Sequence, residues 1–182
     1  MAVLSPRIDA ARLFLALWPD VRSRQRLLAH HDAWRWDAGV APVAPQRLHL
    51  TLHFIGDVPR VRVAGLAEAL DVAFEPFEMT FGVPQGWPKG LAVVCPQEVP
   101  EQLDSLHVAL AQALRSFGLP VEQRDFRPHV TLARKATGAV PPAHTPRFRW
   151  VVAGYALMES VPGADYRLVR SYGAKPVSDR PA

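Results

Sequence analysis

The tetrapeptide His49-Leu50-Thr51-Leu52 returns 80 residues later as His129-Val130-Thr131-Leu132. Each copy alternates a polar side chain with an aliphatic one. Successive side chains of an extended strand point to opposite faces. Each copy therefore reads as a strand whose His and Thr share one face while the aliphatic pair enters a core. If the two strands lie side by side, two imidazoles and two hydroxyls meet in one cleft. Two histidines can supply an acid and a base, and two hydroxyls can hold an anion. That is equipment for opening a phosphodiester without a metal.

The flanking pattern is α/β. Arg12 to Trp18 is an apolar run of strand length, closed by Pro19-Asp20. Asp20 is a good N-cap for a helix reaching about Trp34, with Leu27, Leu28, His31 and Trp34 at helical spacing. Residues 41–47 read as a loop, 48–55 as the first motif strand and 58–74 as a second helix. Phe77 to Val83 alternates as a strand, and Leu91 to Cys95 follows across a Pro/Gly turn. Pro100 then opens a helix whose stripe is Leu103, Leu106, Leu110, Leu114 and Phe117, with Gly118 at its exit. Arg127-Pro128 forces an extended entry into the second motif strand. Residues 136–146 form a Pro-rich loop, and Phe148 to Glu159 and Tyr166 to Tyr172 read as two closing strands. Each half of the chain holds one motif, which predicts a pseudo-symmetric, two-lobed protein built from divergent copies. Residues 11–172 form the expected single domain, with 1–10 and 173–182 as flexible termini.

Composition narrows the function classes. The 182 residues are 49% hydrophobic and 21% charged, which suits a folded core and not a disordered chain. A net charge of +4 is compatible with a polyanionic ligand without proving one. Of the 21 basic residues only Lys89, Lys135 and Lys175 are lysines, and arginine's planar fork suits phosphate oxygens. Cys95 is the single cysteine, which excludes an intrachain disulfide or a zinc site built on several thiolates. No His, Asp and Glu cluster has metal spacing, so no metal and no cofactor are expected. No apolar run has the length of a signal peptide or a membrane span. The expectation is a soluble, cytoplasmic monomer.

Opening a phosphodiester requires a proton taken from the nucleophile, a proton given to the leaving oxygen, and stabilisation of the phosphorane. Histidine is the natural proton carrier near neutral pH. Stiff, β-branched threonine keeps its hydroxyl aimed from a strand. One His-x-Thr is a weak signal. Two copies, each followed by Leu and each in a plausible strand, are far more specific.

With both motifs in place the chain resembles the 2H phosphoesterase superfamily, and within it the bacterial and archaeal RNA 2′,3′-cyclic phosphodiesterases, also called 2′-5′ RNA ligases. The resemblance rests on residues 12–20 (RLFLALWPD), 48–56 (LHLTLHFIG) and 126–134 (FRPHVTLAR), and runs from about residue 11 to 172. It implies an α+β, bilobal fold of two antiparallel sheets flanked by helices around a central cleft. It implies hydrolysis of a 2′,3′-cyclic phosphate RNA end, tRNA fragments being one source, to a 2′-phosphate, with 2′-5′ joining as the allowed reverse chemistry. By analogy His49 is the proton donor to the departing 3′ oxygen, His129 the base that activates water, and Thr51 and Thr131 hold phosphate oxygens. Arg134 matches a phosphate-contacting arginine, although strict alternation turns it away from His129 and calls for a twist or bulge. A tryptophan common in such proteins after the Trp-Pro turn is replaced here by Leu91 to Val94. Competing readings are a phosphodiesterase for a small nucleotide such as ADP-ribose cyclic phosphate, and a non-catalytic RNA-binding module.

Other residues are weighed from their positions. Arg124, Arg127, Arg134 and Lys135 surround the second motif as a basic rim, of which Arg127 and Arg134 are candidate substrate contacts. Phe14, Trp18, Phe126 and Tyr155 could wall a base, with Phe14 the leading candidate because it lies in the opening strand. His53, on the same strand face as His49, reads as a cleft-edge or packing residue, and His107 as structural.

Overall fold

In the computed structural model, which describes residues 9–173, the chain runs β1 (Ala10–Leu17), α1 (Val21–Asp32), β2 (Ala41–Pro42), a 3-10 turn (Pro45–Arg47), β3 (Leu50–Pro59), α2 (Arg60–Ala69), β4 (Phe77–Trp87), β5 (Leu91–Pro96), α3 (Glu101–Ser116), β6 (Val130–Arg134), β7 (Phe148–Val152), β8 (Gly154–Glu159) and β9 (Arg167–Gly173). Local chemistry explains the helix limits. The Asp20 carboxylate accepts from Ser23 N at 2.6 Å and so caps α1. Gly118, at φ +81°, lets Leu119 N turn back to Leu114 O at the end of α3. Leu103, Leu106, Leu110 and Leu114 are all 1% exposed or less. Each such burial contributes roughly 1.5–3 kcal/mol and fixes α3 on β3.

The strands follow the order β7-β4-β5-β6-β3-β1-β8-β9, antiparallel throughout, with β2 beside β6. The expected two sheets are the two halves of this order. They are joined at one register pair, Leu50 opposite Val130, so they form a single curled sheet. The joint falls at the two motifs themselves, which sets the His-x-Thr pairs side by side.

Two expectations need correction. Phe148 to Glu159 is not one strand. It breaks at Ala153 into β7, which pairs with β4, and β8, which pairs with β1. Five strands separate β7 from β8 in the sheet order. In a flat sheet that would be about 29 Å, which one residue cannot span. The sheet must therefore curl until its far edge meets β8. Nor are the lobes the two sequence halves. α1 follows β1 yet packs on β4 and β7, while α3 follows β5 yet packs on β3 and α2. Each lobe borrows a helix from the other, and one continuous core takes Leu15 and Leu157 from one lobe with Phe81 and Val94 from the other.

The expected flexible termini lie outside the described residues except at their inner ends, where Ala10 and Gly173 belong to β1 and β9. Among the described residues no helix is long and apolar enough to cross a membrane.

Candidate active site

Both motifs carry the same irregularity. Along β1 and β3, Leu15 faces His53 and Ala16 faces Thr51, so Leu52 is an extra residue. Along β5 and β6, Ala92 faces Ala133 and Val93 faces Thr131, so Leu132 is the extra residue. Each bulge sits at the Leu that closes a motif, and each resets the alternation. In β6 it returns Arg134 to the cleft face, which answers the conflict that strict alternation raised. In β3 it brings Phe54 to the corresponding position and turns His53 away. His53 is buried, hydrogen-bonded through Nε2 to His107 O at 2.9 Å and stacked on the His107 ring at 4.0 Å. His107 stacks in turn on Phe126. His53 and His107 are thus packing residues.

A cleft of about 600 Å³ gathers His49, Thr51, His129, Thr131 and Arg134, with Phe14 on its wall. Arg12 and Arg47 also line it, and among the described residues no carboxylate does.

Each imidazole is anchored alike. His49 Nδ1 lies 2.6 Å from Arg47 O, and His129 Nδ1 lies 2.7 Å from Arg127 O. A carbonyl can only accept, so Nδ1 carries the proton in both rings. Nε2 is left as the exchangeable site: a base in the neutral ring, an acid in the charged one. Burial pushes His49 down to about 4, helped by the nearby charges of Arg47, His129 and Arg134. Burial likewise lowers His129, with Arg127 and Arg134 adding to the shift. The residues of the cleft therefore disfavour both imidazolium forms, because they desolvate the rings and add only positive charge around them.

Aromatic rings enclose each histidine. Trp18 stacks on His49, the ring centroids 5.1 Å apart and the planes at 5°, while Phe14 and Tyr166 close in at 5.1 and 5.3 Å. Trp87 covers His129 at 4.4 Å. The two motif-preceding arginines repeat one arrangement. Arg47 lies 4.4 Å over Tyr166, and Arg127 lies 4.2 Å over Trp87. Each arginine thus gives its carbonyl to a histidine and its guanidinium to the aromatic ring beside that histidine. Arg127 lines a neighbouring groove and not the cleft that holds Thr131 and Arg134.

Phe126 and Tyr155, candidate walls, serve elsewhere. Phe126 backs His107, and the buried Tyr155 hydroxyl donates to Leu70 O at 2.6 Å. Trp87, Tyr166, Arg47 and Arg12 escaped the sequence reading. One signal was available: the repeat extends backwards to Arg-x-His, as Arg47-Leu48-His49 and Arg127-Pro128-His129. Trp87 ends β4 and Tyr166 stands just before β9, at strand ends where no periodicity announces them.

A family model described as the 2′-5′ RNA ligase superfamily matches residues 19–160. The RNA 2′,3′-cyclic phosphodiesterase of Escherichia coli (strain K12) is 32% identical over 158 residues, 83% of this chain and 85% of that protein. The protein of the same name from Archaeoglobus fulgidus is 30% identical over 129 residues, covering 68% of this chain and 72% of its own. Among solved structures, E. coli LigT complexed with 3′-AMP matches with a TM-score of 0.82 at 23% identity, covering 92% of this chain and 100% of that one.

Proposed function

This chain belongs to the 2′-5′ RNA ligase superfamily, and from that premise we propose that it hydrolyses the 2′,3′-cyclic phosphate end of RNA to a 2′-phosphate by metal-independent two-histidine catalysis. Neutral His129 takes a proton from water through Nε2 as the oxygen attacks phosphorus. Protonated His49 gives its Nε2 proton to the departing 3′ oxygen. Thr51, Thr131 and Arg134 hold the non-bridging oxygens, whose charge grows in the phosphorane. Phe14 packs against the terminal nucleoside on the His49 side.

The observation that carries this reading is the paired Nδ1 anchor. Two imidazoles held by carbonyls through Nδ1, both lining one cleft and both left with Nε2 as the exchangeable site, suit a double proton transfer. That no carboxylate among the described residues lines the cleft fits the same reading. A phosphodiester is the counter-charge that both histidines lack, and its arrival raises their proton affinity where a donor is needed. The protein acts as a cytoplasmic monomer in this reading.

The decisive assay follows a short RNA with a 2′,3′-cyclic phosphate end in excess EDTA. The expected outcome is undiminished conversion to the 2′-phosphate. Loss of turnover that a divalent ion restores would sink the metal-free mechanism. Turnover of an ADP-ribose cyclic phosphate with none of the RNA would move the substrate to the small-nucleotide class.

A further inference from the structure

A neutral imidazole can take a proton at Nε2 only while its own proton sits on Nδ1. Left to itself in water a histidine side chain favours the opposite tautomer, so each ring depends on the carbonyl that faces its Nδ1. What holds that carbonyl differs between the two motifs. Arg47 belongs to the 3-10 turn, and its own N–H donates to Ala44 O at 2.8 Å. The backbone alone therefore steadies the Arg47 carbonyl. Arg127 lies in residues 117–129, which belong to no helix or strand. Pro128 follows it and has no N–H to tie the peptide down. Proline keeps Arg127 extended, yet ψ is still free over about 40°, enough to swing a carbonyl off a ring nitrogen.

The side chain supplies what the backbone lacks. The Arg127 guanidinium lies over the Trp87 indole, Cζ 4.2 Å from the ring centroid. The same indole lies against the His129 imidazole, centroids 4.4 Å apart and planes at 52°. Trp87 is itself pinned, because its Nε1 donates to Gln85 Oε1 at 2.7 Å. The contacts close a circuit. The Arg127 carbonyl meets the imidazole, its guanidinium meets the indole, and the indole meets the imidazole. Arg127 is exposed and absent from the cleft wall that holds Thr131 and Arg134, so its charge faces the indole and not the anion site.

We propose that Arg127 and Trp87 form a positioning pair for His129: the guanidinium–indole contact keeps the Arg127 carbonyl on Nδ1 and so holds the ring in the tautomer that leaves Nε2 free. The kinetic consequence rests on the base role given to His129 above, whereas the tautomer itself does not. Arg47 and Tyr166 repeat the contact beside a carbonyl that the turn already holds, so the His49 ring is the less sensitive of the two.

The test labels the histidine rings isotopically and reads their two nitrogens by magnetic resonance at a pH where the rings are neutral, with His129→Ala to assign the signals. In the unmodified protein His129 should carry its proton on Nδ1. Arg127→Met keeps much of the side-chain length and removes the charge. It should admit a clear share of the Nε2–H tautomer at His129 and leave His49 as it was. Trp87→Leu should do the same, while Trp87→Phe, which keeps a ring, should retain the Nδ1–H form. The double variant Arg127→Met with Trp87→Leu should go no further than either single one, because the pair acts as a unit. Arg124→Met removes a neighbouring exposed charge that pairs with Glu122, and should change nothing. On a 2′,3′-cyclic mononucleotide, Arg127→Met should lower kcat about tenfold at unchanged KM. An undisturbed Nδ1–H tautomer in Arg127→Met overturns the proposal. So does a raised KM at unchanged kcat, which would make Arg127 a substrate contact. Equal disturbance of His49 and His129 overturns it as well, since the effect is then general and not local. If the unmodified protein turns over no cyclic phosphate, the hydrolase reading falls, while the tautomer measurement still decides the positioning pair.

Discussion

At the scale of single residues, the proposed chemistry turns on two imidazoles that differ in surroundings more than in kind. His49→Ala and His129→Ala should each slow the chemical step by about 10²–10⁴-fold. The double variant should cost less than the product, because the two transfers belong to one event. Near-normal turnover in either single variant would show the assignment wrong. The pH dependence follows from the lowered proton affinities. The profile of kcat/KM, which reports the free protein, should be bell-shaped with its maximum on the acid side of neutrality. The kcat profile should move to higher pH, since a bound phosphate anion stabilises both imidazolium forms. A kcat/KM that climbs through pH 9 would point to hydroxide as the attacking base. A thio-substituted leaving oxygen needs little protonation, so it should rescue His49→Ala and leave His129→Ala impaired. Rescue of the His129 variant would reverse the two roles. These residues were legible in the sequence because a period-2 pattern with a rare polar pair is visible without any fold. Trp87 and Tyr166 were not, because nothing local records which side chain at a strand end lies over a histidine.

At the scale of elements, the motif strands show where reading by alternation stops working. A pattern of period 2 predicts faces only while the ladder is regular. Leu52 and Leu132 interrupt it, and every residue beyond them changes side. That is why His53, expected on the His49 face, packs under α3, and why Arg134 reaches the cleft of the two histidines. The helices were easier, because Asp20 and Gly118 mark their ends by side-chain capping and positive φ, which are local effects. The split at Ala153 was harder, since two strands in register with different partners read as one alternating run. The His53–His107–Phe126 stack carries its own consequence. Burial lowers both histidines, His107 to about 4. A histidine held below its ordinary value supports the fold above about pH 6.5, and that support drains away as pH falls toward the folded-state value. The melting temperature should therefore drop between pH 7 and pH 4. His107→Phe keeps a ring between His53 and Phe126 and removes one titrating group, so its melting temperature should fall less steeply with acid. An equal slope in both proteins would show that the stack plays no part in acid sensitivity.

At the scale of the whole molecule, the interleaved halves leave no sub-domain able to unfold alone. Indole fluorescence and far-ultraviolet circular dichroism should report one coincident transition in denaturant. A fragment ending at Thr145 lacks β7, β8 and β9 and should show no cooperative melt. Two separate transitions in the full chain would contradict the shared core. The repeat had suggested two sequential copies, and only the crossing of α1 and α3 between lobes shows otherwise. The pairing of β1 with β8 reaches beyond thermodynamics into the order of synthesis. β1 leaves a ribosome long before its outer partner β8, with every other strand but β9 made between them. Throughout elongation an apolar strand, Arg12-Leu-Phe-Leu-Ala-Leu-Trp18, waits with one edge unpaired, and an unpaired edge is a template for any passing strand. The nascent chain should lean on holding chaperones until β8 emerges, and termination before Gly154 should yield aggregates in place of half-active enzyme.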